Sequence, residues 1–458
     1  MPPIMDTKHQ EISEAMKRGE LTVTTVGLGR MGLPTACLFA EAGAKVVGAD
    51  IDRYIVETVG RGESPFVEPG LASLIRRHTQ ANRITVTMDV RQAASQGDAL
   101  LITVPTRVDT AMRPDYSTVE RACRELGRGL REKALVIFES TVGPGTTESL
   151  VKETVENASG LKVGAGFGLA YSPIRAAAGS VLRDIASYPR IIGAVDQRSM
   201  EVASAVLGSI VHGGLVRMST LRAAEAAKLF ENVYRDVNIA LANELAIFCE
   251  RAGLDFNEIR SAANTQPFSQ IHRPGVGVGG ECIPVNPYFL LAGASEVNAN
   301  LGHVRLARKV NDAMPQHTVR LVRSALKACG KPLRRSRISV LGLSYKANVK
   351  EERGSPAILI IRSLAKKGAI VCVYDPNYTS EELRKLGYSS VSSLDRTVEG
   401  ADCILVTVAH DQFKNLRPER FTRLIRRPAA IVDGARVLDP REVEKAGFIY
   451  RGIGRNIE

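Results

Sequence analysis

The chain has 458 residues, of which 44% are hydrophobic and 24% are charged, and this length is enough for two or three domains. The composition excludes collagenous and low-complexity proteins, and no uninterrupted apolar stretch reaches the roughly 18 residues that predict a membrane span. The net charge is 61 − 49 = +12, but basic and acidic residues are interspersed along the chain. This pattern favours a basic surface for small phosphorylated ligands over nucleic-acid binding, since the sequence has no zinc finger, arginine-rich arm or aromatic stacking motif.

Cysteine and histidine spacing limits the kinds of site that the chain can contain. The seven cysteines are scattered, and the closest two, Cys372 and Cys403, are 31 residues apart, which excludes CxxC metal and redox motifs. The histidines form no HExxH pattern, so we predict no metal site. The first twenty residues are too highly charged for a signal peptide and predict a short helix. We therefore expect a cytoplasmic protein without structural disulfides.

Strand and helix patterns alternate in the first part of the chain. Runs rich in β-branched residues predict strands at 21–26, 45–50, 99–104, 134–140 and 190–195. A glycine-rich turn and a helical segment follow the first of these strands. Such alternation predicts a parallel, doubly wound sheet, and we assign residues 1–205 to this domain.

The middle of the chain, residues 206–330, has helical periodicity. From about residue 220 there is no proline or glycine until Gly253, and apolar residues recur at helical spacing, which predicts one helix of more than 30 residues. A glycine-rich loop at 273–288 follows, and then further helix to about residue 328. A helix of this length can join two lobes and pack against its copy, so we expect a homodimer or a higher homo-oligomer.

A second α/β unit occupies residues 331–458. After a basic linker, strands are predicted at 337–343, 369–375, 402–408 and 429–433. The turn at Gly342 has the form of a degraded copy of the turn that opens the first domain. The predicted fold class is therefore α/β, with two Rossmann-like domains joined by a helical middle domain that contains one long helix.

The first predicted strand leads directly into Gly27-x-Gly29-x-x-Gly32 and then into a helix. Gly27 and Gly29 permit a tight turn and close approach to a pyrophosphate, and Gly32 lets helix and strand touch. Asp50 ends the second strand, where a carboxylate accepts hydrogen bonds from ribose hydroxyls and disfavours a 2′-phosphate. These features predict NAD as the cofactor, the alternative being an ordinary glycine-rich turn. The residues of this turn assigned to the cofactor are Gly27, Gly29, Arg30, Met31 and Gly32.

Three further residues are candidates for chemistry. Cys282 lies in GVGVGGECIPVN, where glycines allow close approach of a ligand, so it is either a reactive thiolate or an inert cysteine. Lys228 and Asn232 are one turn apart on the long helix and share a face. They could stabilise developing negative charge, or they could be ordinary solvated residues.

Seven segments in chain order carry a resemblance to a known family: VGLGRMGLP, ESTVGPGT, SPIRAAAG, EAAKLFENVYRDVNIALANELA, GVGVGGECIPVNPYFL, GLSYKANVKEERGSPA and AHDQF. Together they resemble the UDP-glucose/GDP-mannose dehydrogenase family over nearly the whole chain. The segment IPVNPYFL resembles the branch that oxidises UDP-N-acetylhexosamines such as UDP-N-acetylmannosamine. The UDP-glucose branch typically has a loop of the form GFGGSCFPKD.

The resemblance implies oxidation of a sugar's carbon-6 alcohol to a carboxylate, with two NAD molecules used in sequence. It implies that Cys282 traps the aldehyde as a thiohemiacetal, which is oxidised to a thioester and then hydrolysed. By the same resemblance, Lys228 and Asn232 stabilise oxyanions, and Thr141 lies near the cofactor and the catalytic water. Further cofactor contacts are implied for Asp50, Arg53, Thr106, Thr141 and Arg353. Substrate contacts are implied for Arg175, Lys228, Asn232, Arg273, Gly279, Gly280 and Lys346.

Two positions depart from the family pattern. The family usually has glutamate at Ile174, where it is the base for thioester hydrolysis, and aspartate at Asn286. Isoleucine cannot accept a proton, and asparagine cannot act as a carboxylate base. Glu281, next to Cys282, could compensate. These changes bear on the hydrolysis step and not on the binding of NAD.

Several functions remain open on the sequence alone. The first is a UDP-N-acetylhexosamine 6-dehydrogenase, and the second is the same reaction on UDP-glucose or another nucleotide hexose. A third is a nucleotide-sugar-binding homologue without turnover, and a fourth is an enzyme that stops at the aldehyde or the thioester. In each of them the last α/β unit, residues 331–458, which we call the third lobe, is expected to recognise the nucleotide half of a UDP-sugar through Lys346.

Overall fold

The computed structural model describes residues 2–455, and the chain divides into two compact units. The first contains Met1–Glu231 and Tyr288–Asn300, and the second contains Asn232–Pro287 and Leu301–Glu458. The division between residues 231 and 232 falls within one long helix. The three-domain division at residues 205 and 330 stays a prediction.

The first unit is built on an eight-stranded sheet with the strand order β10-β9-β8-β7-β4-β1-β2-β3. All neighbouring strands are parallel except β8 and β9, which are antiparallel. The sheet is therefore mixed, whereas the sequence predicted a purely parallel one. The eight strands are β1 (Thr22–Val26), β2 (Lys45–Ala49), β3 (Ile84–Thr87), β4 (Ala99–Ile102), β7 (Leu135–Phe138), β8 (Gly168–Tyr171), β9 (Arg190–Ala194) and β10 (Leu215–Arg217). A separate hairpin pairs β5 (Arg107–Val108) with β6 (Pro114–Asp115).

Helices cover both faces of this sheet. Successive residues of a strand point to opposite faces, so Leu101 belongs to one buried cluster and Leu100 to the other. Phe39 packs in the first cluster and Leu126 in the second. The helices of this unit are α1 (His9–Arg18), α2 (Gly32–Glu41), α3 (Arg53–Gly60), α4 (Leu71–Gln80), α5 (Val90–Ala94), α6 (Ser117–Gly129), α7 (Lys152–Ser159), α8 (Val181–Ser187) and α9 (Gln197–Gly208), with a 3-10 turn at Ile4–Asp6 and a π-helical turn at Thr147–Val151.

Four helices follow in the middle of the chain: α10 (Leu221–Ala252), α11 (Phe256–Ala263), α12 (Asn286–Glu296) and α13 (Gly302–Ala328). The 32 residues of α10 confirm the predicted long helix. The end of α13 agrees with the predicted end at about residue 328. Within residues 2–455, no helix has both the length and the hydropathy needed to cross a bilayer.

The second unit contains a five-stranded parallel sheet with the order β12-β11-β13-β14-β15. Its strands are β11 (Arg337–Leu341), β12 (Ile370–Tyr374), β13 (Cys403–Val406), β14 (Ala430–Asp433) and β15 (Ile449–Gly452). Its remaining helices are α14 (Pro356–Lys366), α15 (Ser380–Lys385), α16 (Leu394–Val398), α17 (Asp411–Lys414) and α18 (Pro440–Lys445), with a 3-10 turn at Pro418–Phe421. Buried clusters on the two faces of the sheet include Val340 on one side and Leu341 on the other.

The first turns of the two sheets make equivalent hydrogen bonds, as expected if the turn at Gly342 is a degraded copy of the turn at Gly27. The Gly27 amide donates to the end of β2, and the Gly342 amide donates to the end of β12, both at 2.8 Å. Thr103 Oγ1 donates to the Gly27 carbonyl at 2.7 Å, and Thr407 Oγ1 donates to the Gly342 carbonyl at 2.6 Å. Both lobes therefore open with the same strand-turn arrangement, which confirms the fold class.

Candidate functional site

The turn after β1 requires glycine at two positions. Gly27 has a φ of +95°, and a Cβ added at Gly32 would lie 1.9 Å from the Gly27 carbonyl oxygen. A Cβ added at Gly29 would have no heavy atom within 4 Å, so the backbone there faces open space. A turn that brings bare backbone to the start of α2 suits a pyrophosphate, because the first amides of a helix are unpaired. The adjacent Arg30 guanidinium lies over the Phe66 ring at 5.6 Å.

Asp50 follows β2 and is connected to this turn. Its Oδ2 accepts a hydrogen bond from the Leu28 amide at 2.7 Å, and its Oδ1 accepts one from the Asp52 amide at 2.9 Å. The residue is partly exposed, so its remaining lone pairs are accessible to a ribose hydroxyl. Arg53 is exposed at the first position of α3. The turn and this carboxylate together fit the adenosine half of NAD.

Thr106 and Thr141, both predicted as cofactor contacts, are in contact with each other. Thr106 Oγ1 donates to the Thr141 carbonyl at 2.7 Å. The loop that follows Thr141 is held by Tyr116, whose hydroxyl accepts a hydrogen bond from the Gly143 amide at 2.7 Å. The position of Thr141 is therefore set by side chains from two other segments.

Glu225 of α10 fixes the same loop further along, and the sequence analysis did not identify it. Its fully buried carboxylate accepts hydrogen bonds from the amides of Gly145 and Thr147 at 2.5 and 2.8 Å. Burial raises the pKa of Glu225 to about 7. The signal in the sequence was a carboxylate one turn before Lys228 on a helix face that is otherwise apolar.

Lys228 and Asn232 lie one turn apart on α10, as predicted. Lys228 Nζ donates to the Ile174 carbonyl at 2.8 Å. The Asn232 side-chain amide nitrogen is buried and has no hydrogen-bond partner among residues 2–455. A buried amide donor without a partner costs about 1–3 kcal/mol, which a ligand oxygen would offset.

Ile174 and Arg175 occupy different environments. The Ile174 side chain is 8% exposed and belongs to the hydrophobic core. Arg175 forms an ion pair with Glu231 at 2.6 Å and donates to the Pro189 carbonyl at 2.8 Å. Ile174, at the position where the family usually has glutamate, therefore packs in the core through its side chain and accepts the Lys228 hydrogen bond through its backbone carbonyl.

The glycine-rich loop before Cys282 packs tightly against the third lobe. A Cβ added at Gly279 would lie 2.8 Å from Tyr345 Cβ, and one added at Gly280 would lie 2.9 Å from the Tyr345 ring. Gly280 also has a φ of +89°, and its amide donates to the Gly354 carbonyl at 3.3 Å. Larger residues at 279 or 280 would push the loop away from the third lobe. Cys282 itself is exposed.

Two charged residues of the third lobe belong to the same region. Arg353 makes two hydrogen bonds of 2.8 Å to the two carboxylate oxygens of Glu351, and its Nη1 is 3.6 Å from Glu281 Oε1. These carboxylates raise the pKa of Arg353. Lys346 is exposed on the loop after β11.

The start of the cysteine loop is anchored on a buried polar network that the sequence analysis missed. The Gly275 amide donates to Asn243 Oδ1 at 3.0 Å, and Asn243 Nδ2 donates to Asn311 Oδ1 at 2.9 Å. Asn311 Nδ2 donates to Asp236 Oδ1 at 2.8 Å, and Arg308 forms an ion pair with the same carboxylate. The signal was the pair Asp236 and Asn243, seven residues apart in RDVNIALANE and both on the buried face of α10.

The segment after Cys282 leads directly into α12. The Asn286 amide donates to the Cys282 carbonyl at 2.8 Å. Asn286 is 3% exposed, and its side-chain nitrogen has no partner within the described part of the chain. Arg273, at the other end of the loop, is exposed. No group of three or more potential metal ligands occurs among residues 2–455.

The predicted residues therefore fall into two sets, each described within its own compact unit. The first unit contains the residues of the turn with Asp50, Arg53, Thr106, Thr141, Arg175 and Lys228. The second unit contains Asn232, Arg273, Gly279, Gly280, Cys282, Lys346 and Arg353. Within the second unit, direct contacts bring the cysteine loop against the segments that carry Lys346 and Arg353.

Comparison with known proteins identifies the family domain by domain. Residues 21–211 match the NAD binding domain of the UDP-glucose/GDP-mannose dehydrogenase family, residues 222–313 match its central domain, and residues 339–440 match its UDP binding domain. The cofactor prediction is thereby confirmed: the first domain is an NAD-binding domain of this family.

Similar proteins cover almost the whole chain. A UDP-N-acetyl-D-mannosamine dehydrogenase from Pyrococcus horikoshii is 35% identical over 95% of this chain and 99% of its own length. An NDP-N-acetyl-D-galactosaminuronic acid dehydrogenase from Ralstonia nicotianae is 35% identical over 87% of this chain and 93% of its own. The solved structure of the UDP-D-ManNAc dehydrogenase from P. horikoshii superposes with a TM-score of 0.87 at 34% identity, covering 95% of this chain and 99% of that one. The chain belongs to the UDP-glucose/GDP-mannose dehydrogenase family.

Proposed function

We propose that the protein is an NAD-dependent 6-dehydrogenase of a UDP-N-acetylhexosamine, which it oxidises to the uronate. The observation that carries the proposal is the buried, unpartnered amide of Asn232, one turn from Lys228 on α10. Two hydrogen-bond donors on one helix face suit an oxygen that becomes negatively charged during reaction. Relatives named for UDP-N-acetyl-D-mannosamine and for an N-acetylgalactosaminuronic acid support an N-acetylhexosamine as the sugar.

When bound, NAD supplies the hydride acceptor, and the conversion of alcohol to carboxylate uses two molecules of it. In the proposed reaction the C6 hydroxyl loses its proton as the first hydride leaves, and the thiolate of Cys282 then adds to the aldehyde carbon. The thiohemiacetal loses a second hydride to become a thioester. Water attack breaks the C–S bond, releases the carboxylate and restores the thiolate. Lys228 and Asn232 donate hydrogen bonds to the sugar oxygen at the stages where it carries negative charge.

The test is to count NADH formed per nucleotide sugar with UDP-N-acetylmannosamine, UDP-N-acetylgalactosamine, UDP-N-acetylglucosamine and UDP-glucose. Two NADH per UDP-N-acetylhexosamine, with little turnover of UDP-glucose, is the expected result. Faster turnover of UDP-glucose would instead support the UDP-glucose 6-dehydrogenase. Binding of NAD and UDP-sugar in calorimetry without any NADH would support a nucleotide-sugar-binding homologue.

A second candidate, slow hydrolysis of the acyl-enzyme, is favoured by the packing of Ile174 in the core. Without a carboxylate base, water attack loses a contribution typically worth about 10²–10⁴-fold. Intact-protein mass spectrometry after mixing with NAD and substrate is expected to show an accumulating adduct. Ile174→Glu should speed its loss, and Ile174→Leu should not. Rapid wild-type turnover with no adduct would mean that another group, such as Glu281, acts as the base.

Asp50 is expected to make the enzyme prefer NAD to NADP. A 2′-phosphate placed against its carboxylate would be repelled by about 4 kcal/mol at 4 Å in a surface environment. We expect kcat/KM with NAD to exceed that with NADP by roughly 100-fold or more, and Asp50→Asn to reduce this ratio. The control is Asp52→Asn, since Asp52 instead caps α3 by accepting from the Tyr54 amide. Equal efficiency of the wild type with both cofactors would contradict this role.

We further propose that the protein forms a dimer through α10. Five large apolar residues of this helix are exposed, spaced four, seven, four and three residues apart: Phe230 (59%), Tyr234 (54%), Leu241 (46%), Leu245 (36%) and Phe248 (60%). At about 100° per residue they form one stripe, on the side opposite Asn232. An exposed apolar stripe on a long helix is typical of a helix–helix interface.

Leu241→Glu is therefore expected to convert the dimer into a species with the 49.5 kDa mass of one chain. Size-exclusion chromatography with light scattering at micromolar concentration measures this change. Leu386→Glu is the matched control, because Leu386 is 43% exposed but lies in the third lobe. A monomeric wild type, or an unchanged mass for Leu241→Glu, would contradict the proposed interface.

The predicted cytoplasmic location is kept as part of the proposal. All seven cysteines are free thiols, which is typical of a reducing compartment. Polysaccharide precursor synthesis is a use that fits a nucleotide-sugar uronate, and it too remains a proposal.

A further inference from the structure

His410, in the AHDQF segment, has no role in the proposed reaction and yet is completely buried. It immediately precedes α17 in the second unit, and its ring packs edge-on against Phe413 with centroids 5.4 Å apart. A buried imidazole needs partners for both ring nitrogens, so its contacts indicate what it is for.

The contacts determine which nitrogen of His410 carries the proton. Its Nδ1 accepts a hydrogen bond from the Asn348 backbone amide at 3.0 Å and is 3.5 Å from Asn377 Nδ2. Both groups can only donate, so Nδ1 is unprotonated. Its Nε2 is 3.2 Å from Asp375 Oδ2 and therefore carries the hydrogen and donates it to this carboxylate. The His410 and backbone hydrogen bonds lower the pKa of Asp375 to about 2 despite its burial, so the acceptor is ionised.

Asp375 and His410 hold the two ends of one short loop, residues 343–348. Asp375 Oδ2 accepts from the amides of Leu343 and Ser344 at 2.8 and 2.9 Å, which fixes the beginning of the loop. His410 holds the Asn348 amide at the other end, where Asn348 has a φ of +60°. Lys346 lies between the two fixed ends.

Asp375 of the third lobe occupies the position that Asp50 occupies in the first lobe, but its surroundings differ. Asp375 follows β12 as Asp50 follows β2, and each accepts from the amide after the turn glycine. Asp50 is partly exposed, whereas Asp375 is fully buried and also accepts from Ser344 Oγ at 3.0 Å and from His410. The carboxylate that is available to a ribose in the first lobe is therefore occupied in the third lobe by the protein's own loop.

We propose that His410 is a positioning residue that holds loop 343–348 in the conformation that presents Lys346 to the diphosphate of the UDP-sugar. The inference rests on the proposed function for the identity of the ligand. The connection between His410 and the loop is independent of the proposed function, because the hydrogen bonds to Asn348 and Asp375 define it.

Two substitutions of His410 distinguish its two hydrogen bonds, because each can retain one bond and removes the other. His410→Asn keeps an oxygen near the position of Nδ1 and can still accept from Asn348. His410→Gln can place an amide near the position of Nε2 and donate to Asp375, but leaves the Asn348 amide without its His410 acceptor. We expect His410→Gln to weaken UDP binding in calorimetry and to raise KM for the UDP-sugar by about 10-fold. KM for NAD and kcat should stay within about twofold of the wild type, and His410→Asn should recover most of the UDP affinity.

Hydrogen exchange of the unliganded protein tests the loop independently of any ligand. The Asn348 amide should lose its protection in His410→Gln and keep it in His410→Asn. Equal protection in both variants would overturn the inference. Lost protection with unchanged UDP affinity would overturn the part that concerns Lys346 and the ligand. A wild type that binds no UDP would refute the proposed function and this ligand assignment, while the exchange result would still decide whether His410 holds the loop.

Discussion

Cys282→Ala is expected to abolish formation of the uronate while leaving the binding of NAD intact. Without the thiol, no thiohemiacetal or thioester can form, and loss of a covalent nucleophile typically reduces turnover by about 10³-fold or more. The first sheet and its glycine turn contain none of the affected atoms, so the dissociation constant for NAD should not change. Uronate formation is measured by chromatography of the nucleotide sugars, and NAD affinity by calorimetry.

The control for this experiment is Cys372→Ala, which removes a partly exposed thiol on β12. It should retain wild-type turnover and the mass adduct, whereas Cys282→Ala should show no adduct. Sustained uronate formation by Cys282→Ala would show that the reaction does not pass through this sulfur, and the proposed chemistry would be wrong.

Asp236→Leu is expected to lower the free energy of unfolding by about 3–5 kcal/mol, because it removes the buried counter-ion of Arg308 and leaves this buried charge paired only with the exposed Asp312. Both residues are inaccessible, with exposures of 0% for Asp236 and 4% for Arg308. The substitution also removes one of the two acceptors of the Asn311 amide nitrogen, which in turn supports Asn243 and the cysteine loop. Urea denaturation followed by circular dichroism measures the change in midpoint.

Arg308 provides its own matched control, since it also pairs with Asp312, whose side chain is 56% exposed. Asp312→Leu should cost less than about 1 kcal/mol, as is usual for surface ion pairs. In the double variant Asp236→Leu, Arg308→Met both buried charges are absent, and much of the lost stability should return. If Asp236→Leu is no more destabilising than Asp312→Leu, the buried pair does not stabilise the fold.

The sequence predicted the parts of the fold that have strong periodicity. The strands at β1, β2, β4, β7, β9 and β11–β14 were predicted, because buried strands are continuous runs of apolar and β-branched residues. Four strands of the two large sheets were missed, as were the two short strands of the β5–β6 hairpin. Among them, β3 and β10 are four and three residues long at the edges of the sheet, and β8 begins at Gly168, a residue that weakens a strand prediction. The antiparallel pairing of β8 and β9 has no signature in either strand alone.

The candidate site was predicted where it depends on a motif and missed where it depends on tertiary contacts. The glycine turn with Asp50 has a fixed spacing and so is visible in one dimension. Glu225, Asn243 and His410 were not identified, because each acts on a loop that is distant in the sequence, by 62 to 80 residues for Glu225 and His410. Only the buried face of the helix or loop that they occupy reveals them.

The seven-residue spacing on α10 constrains how this gene can change in length. Asp236, Asn243 and Glu250 recur every seven residues on the buried face, and Glu250 accepts from the Gly454 amide at 2.9 Å. A one-residue insertion between Asn243 and Glu250 would rotate everything that follows by about 100° and move this carboxylate away from its partner. Seven inserted residues would restore the angle to within about 20° but would displace the carboxylate by about 10 Å along the axis. Insertions and deletions in homologues should therefore be confined to loops, with α10 constant in length.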